Sequence, residues 1–301
     1  MKWLTFAYNG QMHIGLWHSS EETILSMTDS LQAKGIVMDN MIDLINAPID
    51  VQQIVQELAD DWEASGAEGH TGERRTYKRD DVEWLAPIPV PRKNIFCIGR
   101  NYADHVKERQ AEMPEQLVVF TKPPTSVIGD GKKIHRYRNL TNQLDYEGEL
   151  AVVIGRGGRG IRKEDALSHV FGYTIVNDVT ARDVQKKHIQ FFLGKSFDTF
   201  CPMGPWIVTA SEIPNPGVLR IQTRVDDHTR QSASTEQLLF DIPTIIATIS
   251  AGITLEPGDI IATGTPAGVG AGFSPPRFLD TGCHIEIEIE RIGILRNIVT
   301  E

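Results

Sequence analysis

Apolar and polar residues alternate from the first residues of the chain. Leu4-Thr5-Phe6-Ala7-Tyr8, the pair Asn9-Gly10 and Met12-His13-Ile14-Gly15-Leu16 together predict a hairpin with a two-residue turn. Around Ile49 to Ala64 the apolar positions shift to helical spacing at Val51, Ile54, Val55 and Leu58. Ala64 to Asp81 is polar and charged and reads as a linker or exposed loop. Trp84-Leu85-Ala86-Pro87-Ile88-Pro89-Val90-Pro91 must be extended, because a residue before proline avoids the helical region. A boundary is expected there, between a small N-terminal α/β unit (1–90) and a larger unit (91–301).

The larger unit reads as β-rich α+β. Buried strands are expected at Asn94–Gly99, Gln116–Thr121, Leu150–Ile154 and Phe171–Asp178, and again from Asp259 to the C-terminus. Short helices are expected at Asn101–Arg109, Lys163–Val170 and Thr180–Gln190.

The chain centres on Asp145-Tyr146-Glu147-Gly148-Glu149, which runs straight into Leu150-Ala151-Val152-Val153-Ile154. Strand side chains alternate, so Glu147 and Glu149 share a face. Two like charges at the mouth of a buried strand repel, and a cation between them relieves this. Asp178, closing a second apolar strand, adds a third carboxylate. Oxygen-only ligands suit Mg²⁺, Mn²⁺ or Ca²⁺ rather than zinc. The opposing reading is a solvated strand face, of which Glu286, Glu288 and Glu290 between isoleucines are an example. The apolar run and Asp178 favour the metal.

Other patterns leave alternatives open. His105 and Glu108 share a helical face, yet by themselves they read better as an exposed polar turn. Asp178, Arg182 and Gln185 could offer a ligand, a carboxylate clamp and an amide, or simply start a helix. Lys195, among Phe191, Phe192 and Phe200, is either desolvated or snorkelling. Gly264-Thr265-Pro266-Ala267-Gly268-Val269-Gly270 could cradle an anion with amides and the Thr265 hydroxyl, or only connect strands. Gly155-Arg156-Gly157-Gly158-Arg159-Gly160 fits the dinucleotide fingerprint, but the helix after it is short and no βαβαβ series surrounds it.

Composition narrows the classes. At 41% hydrophobic and 23% charged the chain suits a soluble globular protein, and a net charge of −10 argues against nucleic acid. No apolar stretch approaches the length of a membrane span. Cys97, Cys201 and Cys283 form neither a disulfide framework nor a metal pattern, so a reducing cytoplasm is expected.

Taken together, Ile98–His105, Asp145–Leu150, Asn177–Gln185, Gly194–Thr199 and Thr263–Gly270, in that order, closely resemble the fumarylacetoacetate hydrolase family over about residues 92–300. The resemblance implies a β-rich mixed-sheet core, a homodimer and a divalent cation held by Glu147, Glu149 and Asp178. It implies a catalytic His105 with Glu108 as its partner, in a mobile lid reaching about Gln116. It assigns Lys195 to catalysis and Arg182, Gln185 and Thr265 to substrate contact. Substrates would be small 2-oxo or 2,4-dioxo acids, in acylpyruvate- or fumarylacetoacetate-type hydrolysis or oxaloacetate-type decarboxylation, with 2-hydroxyhepta-2,4-diene-1,7-dioate-type isomerisation as the alternative. Outside the family, a nicotinamide-dependent oxidoreductase and a non-catalytic scaffold are the other readings.

Overall fold

The computed structural model describes residues 1–18, 22–65 and 76–301. The predicted hairpin is Lys2–Tyr8 against Gln11–His18, with Tyr8 opposite Gln11. Asn9 and Gly10 both take positive φ, 49° and 78°, as the tight primed turn requires. The helix predicted near Ile49 spans Ile49–Ser65. Of the expected linker, residues 66–75 lie outside the described residues. Thr76–Lys78 is a strand paired with Thr23–Ser26 rather than a loop.

The N-terminal strands do not form a sheet of their own. Lys2–Tyr8 pairs with Cys201–Thr209, so twelve strands from both sides of the proline run make one mixed sheet. An apolar core is also shared: Trp3, Ile14 and Leu16 pack in one cluster with Ala151, Val153, Ile207 and Ala262. A second sheet of five strands packs on the other face, burying Ile285, Ile287 and Ile289. On its outer side Glu286 and Glu288 bind Arg224, as the alternation predicts.

The strand Gly148–Ile154 is buried along its whole length. It lies between Val170–Asn177 and Ile260–Ala262, antiparallel to each. Ile95–Gly99 runs parallel to Ile260–Ala262, and Val118–Lys122 follows at the sheet edge. The antiparallel return after Gly155–Gly160 removes the dinucleotide reading, which needs a parallel crossover with a full helix. Here the chain makes only a 3₁₀ helix, Lys163–His169, and comes straight back. The glycines serve close approach: a Cβ on Gly157 would lie 2.9 Å from the Leu255 carbonyl. The helix expected over Thr180–Gln190 is shorter, Arg182–Lys187, because Thr180–Ala181 pairs with Leu144–Asp145.

Candidate active site and metal centre

Strand register assembles the carboxylates. Gly148 stands opposite Asn177, so Glu147 and Asp178 fall next to each other just beyond the paired ends. The Asp178 amide donates to the Glu147 carbonyl at 2.9 Å, and the Asn177 side chain accepts from the Glu147 amide at 3.0 Å. Glu149 lies on the same strand face as Glu147. Ligand oxygens of Glu147, Glu149 and Asp178 lie within 4.8 Å of one another, and all three residues are buried.

Buried cations surround this set. The Lys195 ammonium donates to Glu147 Oε2 (2.9 Å), Asp178 Oδ2 (2.6 Å) and Thr180 Oγ1 (2.9 Å). Lys122, fully buried, donates to Asp178 Oδ1 at 2.7 Å and to the carbonyls of Val179 and Lys195. Arg182 reaches Glu147 Oε1 at 2.6 Å and Asp145 Oδ2 at 2.8 Å. Burial opposes ionisation of Glu147, but Lys195 and Arg182 outweigh it and hold its pKa well below the usual carboxylate range. Burial would likewise lower the pKa of Lys195; Asp178 and Glu147 reverse this and keep it an ammonium.

Glu149 differs. It accepts from the Gly264 amide at 2.8 Å, and among the described residues no cation pairs with it. Burial, then Asp178 and Glu147 facing it, push its pKa well above the usual range. Three clustered carboxylates, one of them short of positive charge, fit a hard divalent cation on donor chemistry.

His105 is buried, not on an exposed polar turn. Its Nδ1–H donates to Glu108 Oε1 at 2.8 Å, which leaves Nε2 as the free base nitrogen. The Gly268 amide donates to Glu108 Oε2 at 2.9 Å, so the glycine loop fixes the partner that fixes the imidazole. His105, Glu147, Glu149, Gln185, Lys195 and Thr265 all line one cleft of about 450 Å³.

Several of the expected residues already have partners within the protein. Arg182 is no free clamp: its guanidinium is committed to Asp145, Glu147 and, at 3.3 Å, Gln185 Oε1. The Thr265 hydroxyl, on a residue of the cleft lining, donates to the Gly148 carbonyl (3.0 Å) and accepts from Gln231 (2.7 Å), so it also braces the strand. Lys195 sits under Phe120, 5.0 Å from the ring centroid, while Phe192 is exposed. Sequence reasoning missed Lys122, Asp145 and Gln231. Asp145 was in view beside Glu147, but its partners Arg182, Gly270 and Ala271 lie far along the chain.

A mixed-sheet core holds a buried acidic triad that could hold a metal ion, beside a histidine–carboxylate pair, and this is the makings of an enzyme site. Residues 94–300 match the family model described as fumarylacetoacetate (FAA) hydrolase, C-terminal, and the chain belongs to that family. It is 57% identical over 223 residues to the oxaloacetate tautomerase YisK of Bacillus subtilis (strain 168), covering 73% of this chain and 74% of that one. A fumarylacetoacetate hydrolase from the psychrophile Exiguobacterium antarcticum superposes with a TM-score of 0.82 at 42% identity, covering 100% of this chain and 99% of that one. A maleylpyruvate hydrolase from Sphingobium sp. SYK-6, solved with manganese(II) and pyruvate, gives a TM-score of 0.78 at 30% identity, again over 100% and 99%. Among the described residues no helix is long and apolar enough to cross a membrane.

Proposed function

We propose that this protein is a divalent-cation-dependent enzyme that interconverts the enol and keto forms of a 2-oxo dicarboxylic acid such as oxaloacetate. The observation that carries it is the oriented base His105, which lines the same cleft as Glu147 and Glu149 of the acidic triad. The 57% identity to an oxaloacetate tautomerase supports this reaction over the others of the family.

Glu147, Glu149 and Asp178 would hold Mg²⁺ or Mn²⁺. When bound, the cation supplies Lewis-acid polarisation of the keto oxygen. His105 takes the proton from the carbon next to the keto group. The electron pair of that C–H bond becomes the C=C bond of the enol, the C=O π pair moves onto the keto oxygen, and that oxygen takes a proton from water while the His105 imidazolium releases its own to water. Glu108 holds His105 in the tautomer that can accept, and stabilises the imidazolium once it forms. Lys195 and Arg182 keep Glu147 ionised. Hydrolysis, as in the maleylpyruvate hydrolase, is the second reading. It asks His105 to activate water instead of moving a carbon-bound proton.

Decay of enol-oxaloacetate absorbance, followed with Mg²⁺ or Mn²⁺ and then with chelator, tests the proposal. His105→Ala should slow the metal-dependent rate by about 10²–10⁴-fold. Glu149→Gln should abolish metal binding in calorimetry while leaving the protein folded. If the loaded enzyme does not exceed the uncatalysed rate, the tautomerase reading falls. Pyruvate accumulating from oxaloacetate would identify a decarboxylase, and cleavage of acetylpyruvate a hydrolase.

A further inference from the structure

The cleft carries cations besides those that pair with its carboxylates. Lys195 and Arg182 are ion-paired with Glu147, Asp178 and Asp145. Arg100, Arg109 and Lys186 also line the cleft, and among the described residues none of them makes an ion pair.

Arg109 is the best placed of the three. It caps the helix Ala103–Glu108 directly after the His105–Glu108 pair, and it is an exposed residue of the cleft lining. Its Nη1 donates to the Ala271 carbonyl at 3.0 Å, which holds the guanidinium beside the glycine loop, and among the described residues no carboxylate pairs with it. The charges around it are Arg182, which repels it, and Asp145, Glu147 and Glu108. Each of those carboxylates already has its partners. Asp145 is bound by Arg182 and the amides of Gly270 and Ala271, Glu147 by Arg182 and Lys195, and Glu108 by His105 and the Gly268 amide. A guanidinium held by one neutral carbonyl, beside a cation and among saturated carboxylates, is matched to an incoming carboxylate.

We propose that Arg109 is a specificity-determining residue that receives the second carboxylate of a 2-oxo dicarboxylate. The head of the substrate, its 2-oxo acid group, would lie at the triad. The inference rests on the reading of the site as one for 2-oxo acids. It predicts discrimination between substrates that share this head and differ only in the distal carboxylate.

Oxaloacetate and pyruvate are such a pair. The test measures KM and kcat for oxaloacetate and, by calorimetry on the Mg²⁺-loaded protein, the Kd for pyruvate, in wild type, Arg109→Gln and Arg109→Lys. Glutamine can still donate to the Ala271 carbonyl, so the local fold is kept while the charge is removed. Loss of a charge-assisted pair should raise KM for oxaloacetate about tenfold to a hundredfold, with the Kd for pyruvate unchanged and lysine intermediate. Equal weakening of both ligands in Arg109→Gln would overturn the proposal and make Arg109 a latch for the loop. No change in either would overturn it too. If wild type binds pyruvate but oxaloacetate shows no advantage over it, Arg109 reads no second carboxylate. If wild type binds neither, the 2-oxo acid reading falls and this inference falls with it.

Discussion

Lys122→Met removes a charge from beneath the metal centre at almost constant volume. Lys122 is wholly buried, and its ammonium serves Asp178 Oδ1 at 2.7 Å, the Val179 carbonyl at 3.2 Å and the Lys195 carbonyl. Methionine leaves three acceptors without this donor. Breaking a buried ion pair from one side costs about 3–5 kcal/mol, because the remaining charge stays buried. Asp178 keeps Lys195 at 2.6 Å on its other oxygen, which argues for the lower part of that range. The expected loss is about 3 kcal/mol. Urea unfolding of the metal-free protein measures it: the midpoint should fall with the m-value unchanged. A double-mutant cycle with Asp178→Asn isolates the pair, since once the aspartate charge is gone the lysine has less to compensate. A coupling energy below about 0.5 kcal/mol would refute the reasoning, and Lys122 would then be a carbonyl ligand with no electrostatic role.

Two further outcomes follow from local geometry. Gly264→Ala should destabilise by about 1–3 kcal/mol and weaken metal binding. Gly264 has φ +104°, a Cβ there would lie 2.7 Å from Asn101 Cβ, and its amide positions Glu149; thermal melts and metal titration check both effects. Asp183 should make the loop before the acidic strand acid-sensitive. Burial would raise its pKa, but the Thr141 hydroxyl and the amides of Asn142 and Val184 outweigh this and lower it from 3.8. A depressed carboxylate stabilises above its ordinary value, and that contribution is lost as the pH falls below 3.8 through the lowered pKa. Asp183→Asn should therefore remove part of the pH dependence of stability below that point, read from denaturation curves across the acid range.

Much of the site can be read along the chain where one element carries the signal. Strand periodicity puts Glu147 and Glu149 on one face, and the uninterrupted apolar run says that face is buried. The spacing of His105 and Glu108 fixes that they can touch, but not that they are buried. Burial came from the loop at Gly268, whose amide holds Glu108 from 160 residues away. Arg182 shows a partner that local spacing does not reveal. Its spacing from Asp178 suggested a free clamp, whereas Asp145, 37 residues earlier, claims its guanidinium.

Acidic, basic and apolar positions, their local periods, and the order of motifs that marks the family are all written along the chain. Which charges are satisfied depends on the fold. The pairing of Gly148 with Asn177 brings Asp178 against Glu147, and the edge strand brings in Lys122, which carried no local mark of function. The same holds for the N-terminal hairpin, whose pattern fixed its turn but not its attachment to Cys201–Thr209. The physical reason is range. Backbone propensity and side-chain alternation act over a few residues and are written locally. Ion pairing and strand register join positions tens to hundreds of residues apart, and those choices are made by the packing of the whole chain.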